Sequence, residues 1–93
     1  MASVITNLPP GRYTVGLPRP GGASKIDPDN DVFFKVTSHS QLDSSPGKSL
    51  ARDLDLLLEP AQRRVKAAVA SSAGKIQFMF PDGVDHVHVK ALD

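Results

Sequence analysis

The chain has no cysteine, no tryptophan, a single glutamate and only five aromatic residues in 93. Each shortage excludes something. Without thiols there is no disulfide, no thiol nucleophile and no cysteine-ligated zinc or iron–sulfur centre. Small secreted domains commonly offset a thin core with disulfides, so their lack points to an intracellular, cytoplasmic protein. With Glu59 the only glutamate, paired-carboxylate chemistry would fall to aspartates in turn-like stretches, where shifted pKa values are least expected. No apolar run approaches the ~20 residues of a membrane helix. The opening Met1–Pro9 has neither the basic start nor the apolar centre of a signal peptide.

What remains describes one domain, 1–93, with a modest core of Val, Leu, Ile and Ala around Phe34, Phe78 and Phe80. The net charge of +1 names no partner, but it is unevenly spread. Residues 1–25 carry three bases and no acid; residues 26–59 carry seven acids against three bases; residues 60–93 carry five bases against three acids. A polarised surface is the expectation.

The clearest pattern lies at the end. Gly74–Phe80 and Val84–Leu92 both alternate and are separated by Pro81-Asp82-Gly83, which predicts a β-hairpin. Ile76, Phe78 and Phe80 share one face, as do Val87, Val89 and Ala91, leaving His86, His88 and Lys90 on the other side of the returning arm. Earlier, Tyr13, Val15 and Leu17 alternate after a turn cluster, and Val32, Phe34 and Val36 alternate with Phe33, Lys35 and Thr37. The phrase Leu8-Pro-Pro-Gly-Arg-Tyr-Thr-Val15 resembles the start of a strand common in prealbumin-like and collagen-adhesin repeat domains. Those families are all-β, and the chain departs from them in its middle. There Leu50, Leu54, Leu57 and Leu58 fall at the spacing of a helical stripe behind Ser49 as N-cap. Pro60 then opens a second helical piece with Ala61, Val65, Ala68 and Val69 inward and Gly74 as its stop.

The fold expected is therefore α+β: strands near 11–17, 31–37, 75–80 and 84–91 in one antiparallel sheet, with a kinked or two-piece helical segment, 49–73, packed on one face. Leu50, Leu54, Leu57, Val65 and Val69 would rest on Val15, Phe34, Phe78 and Val87. The other face would present Phe33, Met79, His86 and His88.

Candidate chemistry is sparse. Pro46-Gly-Lys-Ser49 has the end of a phosphate-binding loop, but Leu42 stands where that loop needs its first glycine. Asp27-Pro-Asp-Asn-Asp31 opens like a calcium loop, yet Val32 and Ser38 occupy the positions of its glycine and bidentate glutamate. His86 and His88 on one strand face lie about 6.6 Å apart along the backbone, near enough to share a metal, with His39 or Asp85 as a third ligand. Lys90 beside them opposes a cation. No nucleophile elbow is present.

By elimination the sequence points to a non-enzymatic protein-interaction module, an inhibitor or accessory protein or a homodimer, docking through Phe33, Met79, His86 and His88. It would carry no cofactor, no metal and no membrane contact. The alternative is a nucleic-acid-binding accessory protein using Arg63, Arg64 and Lys66 on the basic helix. A small metal-binding protein or enzyme using His86 and His88 comes third.

Overall fold

The computed structural model describes residues 2–20, 25–38, 41–44, 50–70 and 74–92. Ser49, the rest of the Pro46-Gly-Lys-Ser49 phrase, and His39 lie outside them. Among the described residues eight strands form a sandwich of two four-stranded antiparallel sheets: β1 (Ser3–Asn7), β2 (Gly11–Gly16), β3 (Val32–Val36), β4 (Leu42–Asp43), β5 (Asp53–Leu58), β6 (Arg63–Val69), β7 (Lys75–Met79) and β8 (His88–Ala91). The first sheet runs β1-β7-β6-β5, the second β4-β3-β2-β8. Two meanders, β2–β3–β4 and β5–β6–β7, are thus each completed by a terminal strand from the far end of the chain.

This corrects the expected α+β fold. Among the described residues there is no helix, and the described part of the stretch read as a helical segment over 49–73, residues 50–70, holds the β5–β6 hairpin. Its turn, 59–62, holds a cis Glu59–Pro60 bond and Gln62 at φ 53°. The leucine stripe had a competing reading. Leu54, Leu56 and Leu58 alternate with Asp53, Asp55 and Leu57, and Val65 and Ala67 alternate with Arg64, Lys66 and Ala68. Paired in register, the two arms place Leu56 opposite Val65, and Asp55 opposite Lys66. Burial chose the period of two, because the alternating set supplies a whole inner face while the helical set does not. Leu56, Leu58, Val65 and Ala67 are core, whereas Leu50 and Leu57 are exposed.

The C-terminal hairpin is also corrected. β7 lies between β1 and β6, while β8 pairs with β2 in the opposite sheet. Pro81-Asp82-Gly83, with Gly83 at φ 88°, therefore turns the chain from one layer to the other. The expected inward faces of β2, β3 and β7 hold: Val15, Phe34, Val36, Ile76 and Phe78 are buried. Phe34 bridges the layers, stacked on Tyr13 at 5.7 Å and edge-on to Phe78 at 6.4 Å. Tyr13 also donates its hydroxyl hydrogen to the Pro9 carbonyl four residues back, as the tyrosine corner of Greek-key sandwiches does. One long side of the sandwich is laced shut where Leu42 and Ala51 exchange backbone hydrogen bonds of 2.7 and 2.9 Å. Among the described residues no helix is long and apolar enough to cross a membrane.

Candidate functional site

The surface expected to unite Phe33, Met79, His86 and His88 is divided by this architecture. Phe33 projects from the outer face of the β4-β3-β2-β8 sheet and is 38% exposed. Met79 lies on the outer face of the other sheet, opposite Ser3 and Lys66. His88 begins β8 beside Gly16, on the same outer face as Phe33. His86, just before β8, is exposed; its ring lies 5.7 Å from that of His88, and its Nδ1 is 2.6 Å from Asp85 Oδ1. That hydrogen bond holds the Asp85 carboxyl below the ordinary aspartate range. Among the described residues no three His, Asp or Glu side chains converge where an ion could sit.

The aspartates of 27–31 are turned to other work. Asp27 Oδ1 accepts the Asp29 amide at 3.1 Å and Asp27 Oδ2 accepts Asn30 Nδ2 at 2.7 Å. Asp31 Oδ2 accepts the Asp27 amide at 2.9 Å, and its Oδ1 pairs with Arg19 at 3.0 Å. Arg19 in turn donates to the Lys25 carbonyl. The pair lies against β2 at Gly16, where a β-carbon would come within 2.1 Å of Asp31 Oδ1. Beside it is a small cleft lined by Thr14, Arg19, Lys25, Asp31, His88 and Lys90. Sequence reading singled out His88 and noted Lys90, but not Arg19 or Lys25, because the loop that carries them gives no sign of which strand it covers.

Arg63, Arg64 and Lys66 lie on β6, not on a helix, and all three are exposed. Lys66 is 3.3 Å from Asp53 and stands opposite Asp55 in register, so acids of β5 offset part of its charge. Arg63 reaches toward the turn at Gly83.

The sheet edges differ most from one another at β1. Phe80 N donates to Ala2 O at 2.9 Å and Leu8 N donates to Gly74 O at 2.7 Å, which sets the hydrogen-bonding parity against β7. Residues 2, 4, 6 and 8 bond inward, so Ser3, Ile5 and Asn7 turn their N–H and C=O groups to the open edge. The same parity argument at β5 puts Asp53, Asp55 and Leu57 at its open edge, where two carboxylates repel an arriving strand. The edge strand β4 is two residues long and bridged to Ala51, and β8 carries Lys90. Only β1, among the described strands at an edge, is both five residues long and free of charge. Its Val4 is 43% exposed and its Ile5 57%. The chain's likeness to other proteins gives no further guide, since no protein-family model, curated protein or solved structure matches it.

Proposed function

We propose that this protein is a non-enzymatic interaction module that joins chains by strand addition at β1, and that the occupant the edge fits is a second copy of itself. The observation that carries the reading is the uncharged edge with Ser3, Ile5 and Asn7 aimed outward. These three positions are symmetric about Ile5. An antiparallel two-fold pairing sets Ile5 against Ile5 and Ser3 against Asn7, so every outward N–H and C=O meets a partner. Val4 then faces Thr6 across the join, and no like charges meet. The two sheets become one continuous eight-stranded sheet.

The expected strength is modest. Two bonds at each of three residue pairs, at about 0.5–1.5 kcal/mol apiece, work against roughly 4–15 kcal/mol of association cost. Burial of Ile5 and Val4 adds to the favourable side. A weak, concentration-dependent dimer follows. The basic β6 residues support a polyanion partner less well, because Asp53 and Asp55 lie beside Lys66.

Sedimentation equilibrium across a wide concentration range tests the reading. Ile5→Pro removes an outward N–H and leaves the β1–β7 ladder intact, so it should give a monomer with unchanged melting. Val4→Pro removes an inward N–H and should destabilise the fold itself. A wild-type chain that stays monomeric at millimolar concentration, or an Ile5→Pro dimer as tight as wild type, would defeat the proposal.

A further inference from the structure

β1 is the most exposed of the described strands, with four of its five residues exposed and none buried. Its only strand neighbour is β7. Even Val4, which faces inward opposite Phe78, is 43% exposed. The surface that β1 covers is different. Ile76 and Phe78 of β7 are buried in the core, and β7 is held on its other side by β6. A strand fastened by a backbone ladder, with little apolar surface at stake, opens at the low end of local unfolding free energies. The groove it leaves stays formed.

The link to β2 favours that opening. Leu8-Pro9-Pro10 carries the chain from β1 to β2 in the opposite sheet. Both prolines fix φ, and Leu8 and Pro9, each ahead of a proline, favour extended backbone. Such a link is a short, semi-rigid spacer, and short hinge loops invite exchange of the element they carry. Two hydrogen bonds hold it closed: the Leu8 amide donates to the Gly74 carbonyl at 2.7 Å, and the Tyr13 hydroxyl donates to the Pro9 carbonyl. Exchange forfeits neither, since the first is remade on another copy and the second stays within the chain.

We infer that the groove along β7 accepts β1 from a second copy, so that two chains trade their first strands. The occupant is set by fit. Another copy's β1 meets β7 in the register the chain already uses, with Ser3 on Met79, Ile5 on Gln77 and Asn7 on Lys75, so every contact is remade. The inference concerns the edge of β1 that faces β7. Its outward N–H and C=O groups, on which strand addition rests, stay open in either form, so the two readings are independent. A strand tethered within its own chain competes at an effective concentration of roughly millimolar order. Below that the exchanged dimer is a minor species, and covalent trapping reveals it.

The chain has no cysteine, so single introduced thiols report cleanly. Ser3 and Met79 form a non-hydrogen-bonded pair in the β1–β7 ladder, a geometry whose Cα atoms lie about 4.5 Å apart, within disulfide reach. Neither side chain belongs to the core, so the variants keep the fold. A Ser3→Cys chain and a Met79→Cys chain are mixed at high concentration, held in denaturant just below the unfolding transition, returned to buffer and oxidised. A disulfide-linked heterodimer, identified by mass, should form. It should be lost when Lys75→Cys, opposite Asn7 at the other end of β7, replaces Met79→Cys. It should persist when both chains also carry Ile5→Pro, which blocks the outer edge alone. Ser3→Cys with Asn7→Cys reports strand addition instead, because those positions meet across two outer edges, so either reading can fail while the other stands. No heterodimer, a yield equal to that of the mismatched pair, or loss of the cross-link with Ile5→Pro would overturn the exchange.

Discussion

Gly16 has no room for a side chain, although its backbone belongs to an ordinary strand. Gly16→Ala must push Asp31 away and with it the Arg19 pair, an overpacking cost of about 1–3 kcal/mol. The same substitution made in an Asp31→Ala background should cost clearly less, and chemical denaturation of the four proteins measures that coupling. Tyr13→Phe deletes the hydroxyl that reaches Pro9 and should lose about 1 kcal/mol by the same assay. Asp27 bears on pH. The hydrogen bond from Asn30, ahead of that from the Asp29 amide, holds its carboxyl below the ordinary aspartate range. A lowered folded value contributes stability that is complete above the unfolded aspartate range and is lost as pH falls through the folded value. Melting temperature against pH should therefore fall less steeply on its acid limb in Asp27→Ala than in wild type.

The three consecutive leucines of β5 decide between strand and helix. A strand buries Leu56 and Leu58 and exposes Leu57, so Leu56→Ala and Leu58→Ala should each cost about 2–5 kcal/mol. Leu57→Ala should cost far less, as a partly exposed position does. The helical stripe read from the sequence makes the opposite prediction for Leu57. That stripe was persuasive because leucine is a strong helix former and four leucines happened to match the spacing. The alternation of Asp53-Leu54-Asp55-Leu56 was equally present in the sequence, and only the sheet context settles which period rules. Strands β2, β3 and β7 were legible from alternation between turn signals, and so were the inner faces of Val15, Phe34 and Phe78. β1 left a fainter signal, the β-branched run Val4-Ile5-Thr6 ahead of Pro9. Its status as an open edge could not be read at all, because that depends on which strand lies beside β7. For the same reason Phe33 and Met79, which share an exposed alternating phase, were grouped on one face although they lie on separate sheets.

At the scale of the whole molecule, each meander borrows its fourth strand from the distant end of the chain, which makes the two sheets interdependent. Phe34→Ala, which removes the ring linking Tyr13 to Phe78, should lower stability by about 3–5 kcal/mol. It should do so in one cooperative transition rather than two. The long sequence separation of β1 from β7 and of β2 from β8 also predicts slow folding, in the range of milliseconds to seconds seen for sandwiches. The same crossing of ends leaves β1 at an open edge, with Ser3, Ile5 and Asn7 turned outward and Val4 and Thr6 bonded to β7. Amide hydrogen exchange at these residues, followed by NMR at low and high protein concentration, tests strand addition most directly. In dilute solution Val4 and Thr6 should be protected while Ser3, Ile5 and Asn7 exchange freely; at high concentration the three outward amides should become protected, Ile5 most strongly. An Ile5 amide that exchanges freely at every concentration would contradict strand addition at β1.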